Sequence, residues 1–168
     1  AETILIGKDE ANNKYILFVD NAHKASGFLE LPGGGLHNLP VKFSDFEAIA
    51  KQRLQFKGGL DPSKIKNLTD TGFGLLLDED AVAKDKQITW NWSYYRLFTA
   101  YYTDILNSED TDYSVDNTRF DIIKAKGEDG YTCYLKWIPV DSLDSNRALV
   151  SRYSNIFELI RTTAATFN

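Results

Sequence analysis

The stretch Pro32-Gly33-Gly34-Gly35 constrains this chain most. Three consecutive glycines after a proline permit backbone paths that other residues resist, so the chain bends sharply there or lets another group approach closely. The segment beyond it has a helical pattern. Ser44-Asp45-Phe46-Glu47 has the spacing of a capping box, with the Ser44 hydroxyl and Glu47 carboxylate satisfying open amides at a helix start near residue 45. Phe46, Ile49, Ala50 and Leu54 then recur at helical intervals, and Gly58-Gly59 supplies a stop, so the spacing predicts a helix to about Lys57.

Around this turn and helix the pattern is that of strands. Thr3 to Gly7 and Tyr15 to Asp20 are short β-prone runs flanking Asn12-Asn13, a pair suited to a tight turn, and read as a hairpin. Phe28 to Leu31 is a further short apolar segment. Thr71 to Leu77 and Ile88 to Thr103 alternate as strands do, with an acidic loop expected between them from Asp78 to Lys86. In the longer one, Ile88, Trp90, Trp92, Tyr94, Phe98 and Tyr102 share a face if the strand is unbroken. Asn107 to Asn117 reads as a polar, acidic loop. Tyr131 to Ile138 is a last strand, ended by Pro139, and Arg147 to Arg161 carries Leu149, Tyr153, Ile156, Phe157 and Ile160 as an amphipathic helix. Strands and helices in this order give an α+β arrangement without regular βαβ alternation. At 168 residues the expectation is one domain, 1–168.

Composition excludes several classes. Forty-three per cent hydrophobic and 26% charged residues describe an ordinary globular chain. A formal charge of -5 argues against non-specific nucleic-acid binding, which needs surplus Lys and Arg. No run approaches the ~20 apolar residues of a membrane span. Cys133 is the only cysteine, which leaves no intrachain disulfide or cysteine metal cluster and favours a reducing compartment, the cytoplasm by default. There is no serine-nucleophile elbow, P-loop or dinucleotide-type glycine spacing.

Leu31-Pro32-Gly33-Gly34-Gly35, the capped helix, then Leu54 and Gly59-Leu60 resemble the Nudix (MutT-like) box, G-x5-E-x7-R-E-U-x-E-E-x-G-U, with U aliphatic. Tyr134 to Leu143 looks like that family's terminal strand and turn, and an amphipathic helix follows. The resemblance implies a Nudix-type α/β/α sandwich with a mixed sheet. It also implies a site where box glutamates hold Mg²⁺ or Mn²⁺, which polarises a diphosphate and activates water.

Here the carboxylates of that box are missing. Anchored on Gly59-Leu60, Gln52-Arg53 stands at the Arg-Glu pair, Leu54 at the aliphatic position and Phe56-Lys57 at the Glu-Glu pair. Counting forward from Gly34 puts the first glutamate position at Pro40, counting back from Gly59 puts it at Ser44, and the difference implies about four inserted residues. Anchoring on Gly58 instead sets Lys51-Gln52 and Gln55-Phe56 at the two pairs and restores no carboxylate. Asp45 and Glu47 remain in the first turn, where acids cap helices and offset the dipole.

The resemblance therefore points to an impaired hydrolase fold serving as a binding, sensor or accessory domain for a nucleotide or other diphosphate ligand. Arg53 and Lys57, one turn apart, would meet phosphates directly and no cofactor is expected. A solvated basic stripe is the plain alternative. Gly33, Gly34 and Gly35 could cradle a phosphate or simply make the turn. Trp90 and Trp92 could stack a base or belong to the sheet. A divergent pyrophosphohydrolase is the second expectation, with Mg²⁺ or Mn²⁺ held by Asp45, Glu47, Glu109 or Asp112. A protein-interaction module without a small ligand is the third. His23 and His37, the only histidines, read as exposed loop residues.

Overall fold

The computed structural model describes residues 1–21, 29–34, 42–83, 88–107, 112–116 and 132–168. Among these residues its frame is one mixed six-stranded sheet, ordered β3 (Ile65–Ala83), β4 (Ile88–Leu106), β1 (Glu2–Asp9), β2 (Lys14–Asn21), β6 (Thr132–Pro139) and β5 (Asp112–Asp116). The amino-terminal hairpin forms as the sequence implies: β1 (Glu2–Asp9) pairs antiparallel with β2 (Lys14–Asn21). Its turn is fixed by Asp9, whose carboxylate accepts from the backbone N–H of Asn13 at 2.8 Å and from its side-chain amide at 2.9 Å. Asn12 takes the left-handed conformation, φ 64°, that asparagine tolerates better than most residues. Both strands of the hairpin are central, because β1 also pairs parallel with β4 (Ile88–Leu106) and β2 antiparallel with β6 (Thr132–Pro139).

Alternation along the central strands divides the core in two. Ile4, Ile6, Ile16 and Phe18 face one side and pack with Tyr153, Phe157 and Ile160 from the carboxy-terminal segment. Leu5, Leu17 and Val19 face the other and pack with Leu54 of α1 (Phe43–Phe56) and with Trp137. β4 serves both faces: Leu97 and Tyr95 join the first cluster, while Phe98, Ala100 and Tyr102 face α1. Helix, sheet, helix is the α/β/α sandwich expected.

Three expectations are corrected. Asp78 to Ala83 is not loop: β3 (Ile65–Ala83) continues through it, paired with β4 up to Ala83 opposite Ile88. Acidic composition suggested solvent, but strand formation follows the partner, and β4 offers a long β-prone template. The extra residues at each irregularity fall on β3, where Asn67 (φ 56°) and Gly72 (φ 79°) sit within two bulges, so β4 keeps its alternation. Second, Asp112–Asp116, inside the loop expected from 107 to 117, is a strand, β5, lying against β6. Third, the helix expected over 147–161 is broken into α2 (Arg147–Val150), a 3-10 stretch (Ser151–Ile156) and α3 (Phe157–Ala165). The break coincides with tertiary partners: the Tyr153 hydroxyl accepts from the Leu31 N–H at 3.0 Å and Arg152 pairs with Glu30 at 3.1 Å. Of the segment expected at 28–31, residues 29–31 are described, and Glu30 forms a bridge to Val19 of β2. No helix among the described residues is long and apolar enough to cross a membrane.

Candidate functional site

The glycine turn is held as a short extension of the sheet beside the start of β1. The Thr3 N–H donates to the Pro32 carbonyl and the Gly34 N–H to the Ala1 carbonyl, each at 3.0 Å, with Gly33 bridged to Glu2. The Gly34 amide is thus engaged by protein. Glycine is required here for space. A Cβ on Gly33 would lie 2.4 Å from the Ala1 carbonyl oxygen and 2.8 Å from Glu2 Cγ, and one on Gly34 would lie 2.2 Å from Arg53 Nε.

α1 brings Arg53 to this place. The helix starts two residues earlier than the sequence pattern implies, and its capping differs. Lys42 is the N-cap residue, and Asp45, not Glu47, reaches back to the Lys42 N–H at 2.7 Å. Glu47 instead pairs with Lys51 at 3.2 Å on the exposed side. The capping-box assignment of Ser44 and Glu47 is corrected accordingly: three-residue spacing alone is satisfied equally by Lys42 and Asp45. The glycine stop is as expected. Gly59 is left-handed at φ 63°, and its N–H donates to the Gln55 carbonyl while that of Leu60 donates to Leu54.

On the sheet-facing side, Ala50, Leu54 and Phe56 are buried, and Arg53 is buried with them at 5% exposure. Its guanidinium lies against Gly34 on one side and over the Phe56 ring on the other, 5.2 Å from the centroid. Arg53 Nε has no hydrogen-bond partner among the described residues. Gln52 and Lys57 are half-buried at the flanks of this stripe, and the Lys57 N–H closes the helix on the Arg53 carbonyl at 2.8 Å. The structure therefore brings Arg53, Phe56, Lys57, Gly33 and Gly34 to one end of the sheet. Asp45 and Glu47 are engaged in the first turn.

The other expected site residues fall elsewhere. Gly35, His23, His37 and Glu109 lie outside the described residues. Asp112 belongs to β5, and Trp90 and Trp92 to the far end of β4 opposite Ala81 and Asp78; the side chains of these three are likewise outside the described residues. The donor set on the inner face of α1 does not suit a divalent cation. Arg53 and Phe56 offer no carboxylate oxygen, and among the described residues no three His, Cys, Asp or Glu side chains gather to hold a metal.

Sequence patterns missed a polar group on the opposite face. Glu2, Glu30, Arg152 and Tyr153 meet there, with Glu2 at 4% exposure. Burial, aided by the charge of Glu30, pushes the Glu2 carboxyl up to about 7. The signal was in the sequence: strand alternation puts Glu2 on the side of Ile4 and Ile6, an apolar face on which a glutamate is out of place.

No family model matches the chain, and no curated protein matches it. Among solved structures it is similar to the crystal structure of a Nudix hydrolase from M. smegmatis, RenU, with a TM-score of 0.53 and 12% identity, over 99% of this chain and 85% of that one. The architecture is Nudix-like, a mixed sheet between helices, and that likeness is one of fold.

Proposed function

We propose that this chain is a Nudix-fold binding domain, a sensor or accessory module for a nucleotide or other diphosphate ligand, in which Arg53 does the charge neutralisation that a metal does in hydrolytic relatives. The observation that carries this reading is Arg53 itself. A guanidinium stands at a helix position where the box pattern has a metal-binding glutamate, seated between Gly34 and Phe56, with Nε lacking an acceptor among the described residues. A buried donor without an acceptor is unfavourable in the isolated domain and is relieved by an anion that reaches it. Lys57, one turn on, adds positive charge at the rim. Gly34 serves this site by leaving room for the side chain. Nothing in the donor set invites metal, so binding is expected without Mg²⁺ or Mn²⁺. A reducing, cytoplasmic setting fits Cys133, a buried thiol.

Calorimetric titration with pyrophosphate and with ADP-ribose, in EDTA, tests the reading. The wild type should bind, Arg53→Met should weaken binding by about 10-fold to 100-fold, the worth of a charge-assisted hydrogen bond, and Mg²⁺ should not tighten it. Failure of the wild type to bind either probe in EDTA would end the proposal. Release of a nucleoside monophosphate with Mn²⁺, lost when Asp45, Glu47, Glu109 or Asp112 is changed, would establish the divergent hydrolase in its place.

A further inference from the structure

The buried polar group around Glu2 lies on the sheet face away from α1 and has no part in the proposed phosphate site. Glu2 Oε2 is buried and has no hydrogen-bond partner among the described residues. Each element around it presents identifiable groups. The turn segment brings Glu30, whose Oε1 accepts from Arg152 Nη1 at 3.1 Å. The carboxy-terminal segment brings Arg152 and Tyr153, whose hydroxyl lies within hydrogen-bonding reach of the Glu2 carboxyl. β4 brings Leu97, the register partner of Glu2, and the half-buried Tyr95. Arg152 pairs with Glu30, and its positive charge also acts on Glu2, but burial and the like charge of Glu30 outweigh it and favour the neutral Glu2 carboxyl.

The same side chain is mechanically tied to the glycine turn. Glu2 Cγ occupies the space a Gly33 Cβ would need, and Gly33 is bridged to Glu2 through the backbone. The next residue, Gly34, is the seat of Arg53 on the opposite face. Tyr153 closes the joint from the other side, because its hydroxyl accepts the Leu31 N–H two residues before Gly33. Burial holds the Tyr153 hydroxyl well above its ordinary range, so it remains a donor at all working pH values. A Glu2 carboxylate drawn toward water must therefore displace the turn or the Tyr153 segment.

We infer that Glu2 is a proton-controlled latch: its neutral carboxyl closes the joint between β1, the turn from Glu30 to Gly34 and Tyr153, and its ionisation loosens that joint and the Gly34 seat with it. The upward displacement of the Glu2 carboxyl puts the transition near neutrality. The device requires no ligand, so it stands or falls separately from the phosphate reading.

Two NMR measurements on the whole chain test it. Glutamate side-chain carboxyl shifts, followed from about pH 4 to pH 9, should show Glu2 titrating with a midpoint near 7, and Glu30→Gln should lower that midpoint by removing the like charge. Amide protection factors at Leu31 and Gly34, which already divide out the base dependence of exchange, should fall about 10-fold between pH 6 and pH 8 in the wild type and stay constant in Glu2→Gln. A Glu2 midpoint below about 5, the ordinary glutamate range, or the same loss of protection in Glu2→Gln, overturns the inference. Were Glu2→Gln to fail to fold, the wild-type and Glu30→Gln titrations decide it alone.

Discussion

The two faces of the sheet at the Gly33-Gly34 end carry buried charge of opposite sign, handled in different ways. On the α1 face Arg53 cannot discard its charge at any accessible pH, so the fold accommodates it with an apolar ring and a glycine, leaving Nε without an acceptor. On the other face Glu2 can discard its charge by taking a proton, and its surroundings favour that form. The first face retains an unmet demand for an anion; the second retains a titration. Two adjacent glycines separate them, one fitted to each side chain.

The glycines are where this contrast breaks most visibly. Gly33→Ala places a methyl against backbone, the Ala1 carbonyl at 2.4 Å and Glu2 Cα at 3.0 Å, which cannot swing aside. Gly34→Ala meets the Arg53 side chain, which can. Urea unfolding should show Gly33→Ala destabilised by about 3 kcal/mol, the upper part of the range for overpacking, and Gly34→Ala by roughly half as much. Equal losses would mean that Arg53 is as immovable as backbone.

Glu2→Gln has an effect of similar size, and its size depends on pH. A carboxyl whose folded value is raised from 4.5 to about 7 binds more protons folded than unfolded, so its contribution to stability is fully present below 4.5 and is lost as pH rises through 7. The wild type should therefore lose stability across that window, and Glu2→Gln should exceed it by ~3 kcal/mol at pH 8 while matching it near pH 4. Arg53→Met sharpens the contrast on the other face. Removing a buried cation with an unpartnered Nε should raise stability by about 1 kcal/mol at every pH, since apolar replacement of buried charge is often stabilising. A loss instead would show that the contact with Phe56 outweighs the unmet Nε.

Much of the fold was legible because it rests on local periodicity: the hairpin, the α1 helix and its glycine stop, and β6 ending at Pro139 all follow from neighbouring residues. The missed pieces depend on partners distant in sequence. Asp78 to Ala83 are strand because β4 pairs with them, Asp112 to Asp116 because β6 does, and the carboxy-terminal helix breaks where Tyr153 and Arg152 meet Leu31 and Glu30. The site was legible in part. The box pattern placed Arg53 beside the glycine turn, but only packing shows that it is enclosed there. Glu2 was visible as a charged residue on an apolar face, yet its partners Glu30, Arg152 and Tyr153 lie up to the other end of the chain.

The smallest effect tests which acid starts α1. Both Asp45 and Glu47 stand in the first turns, and the sequence pattern favours Glu47 through Ser44. In the structure Asp45 Oδ2 accepts from the Lys42 N–H, an amide with no carbonyl of the helix to serve it, whereas Glu47 pairs with the exposed Lys51. Losing a capping acceptor costs about 1 kcal/mol, and losing an exposed ion pair of this spacing costs roughly 0.3–0.5 kcal/mol. Asp45→Ala should therefore lower the urea midpoint at least twice as far as Glu47→Ala, and 1 M salt should remove the smaller difference but not the larger. The reverse order would restore the Ser44 and Glu47 cap and shift the helix start toward residue 45, with Arg53 still held in the core.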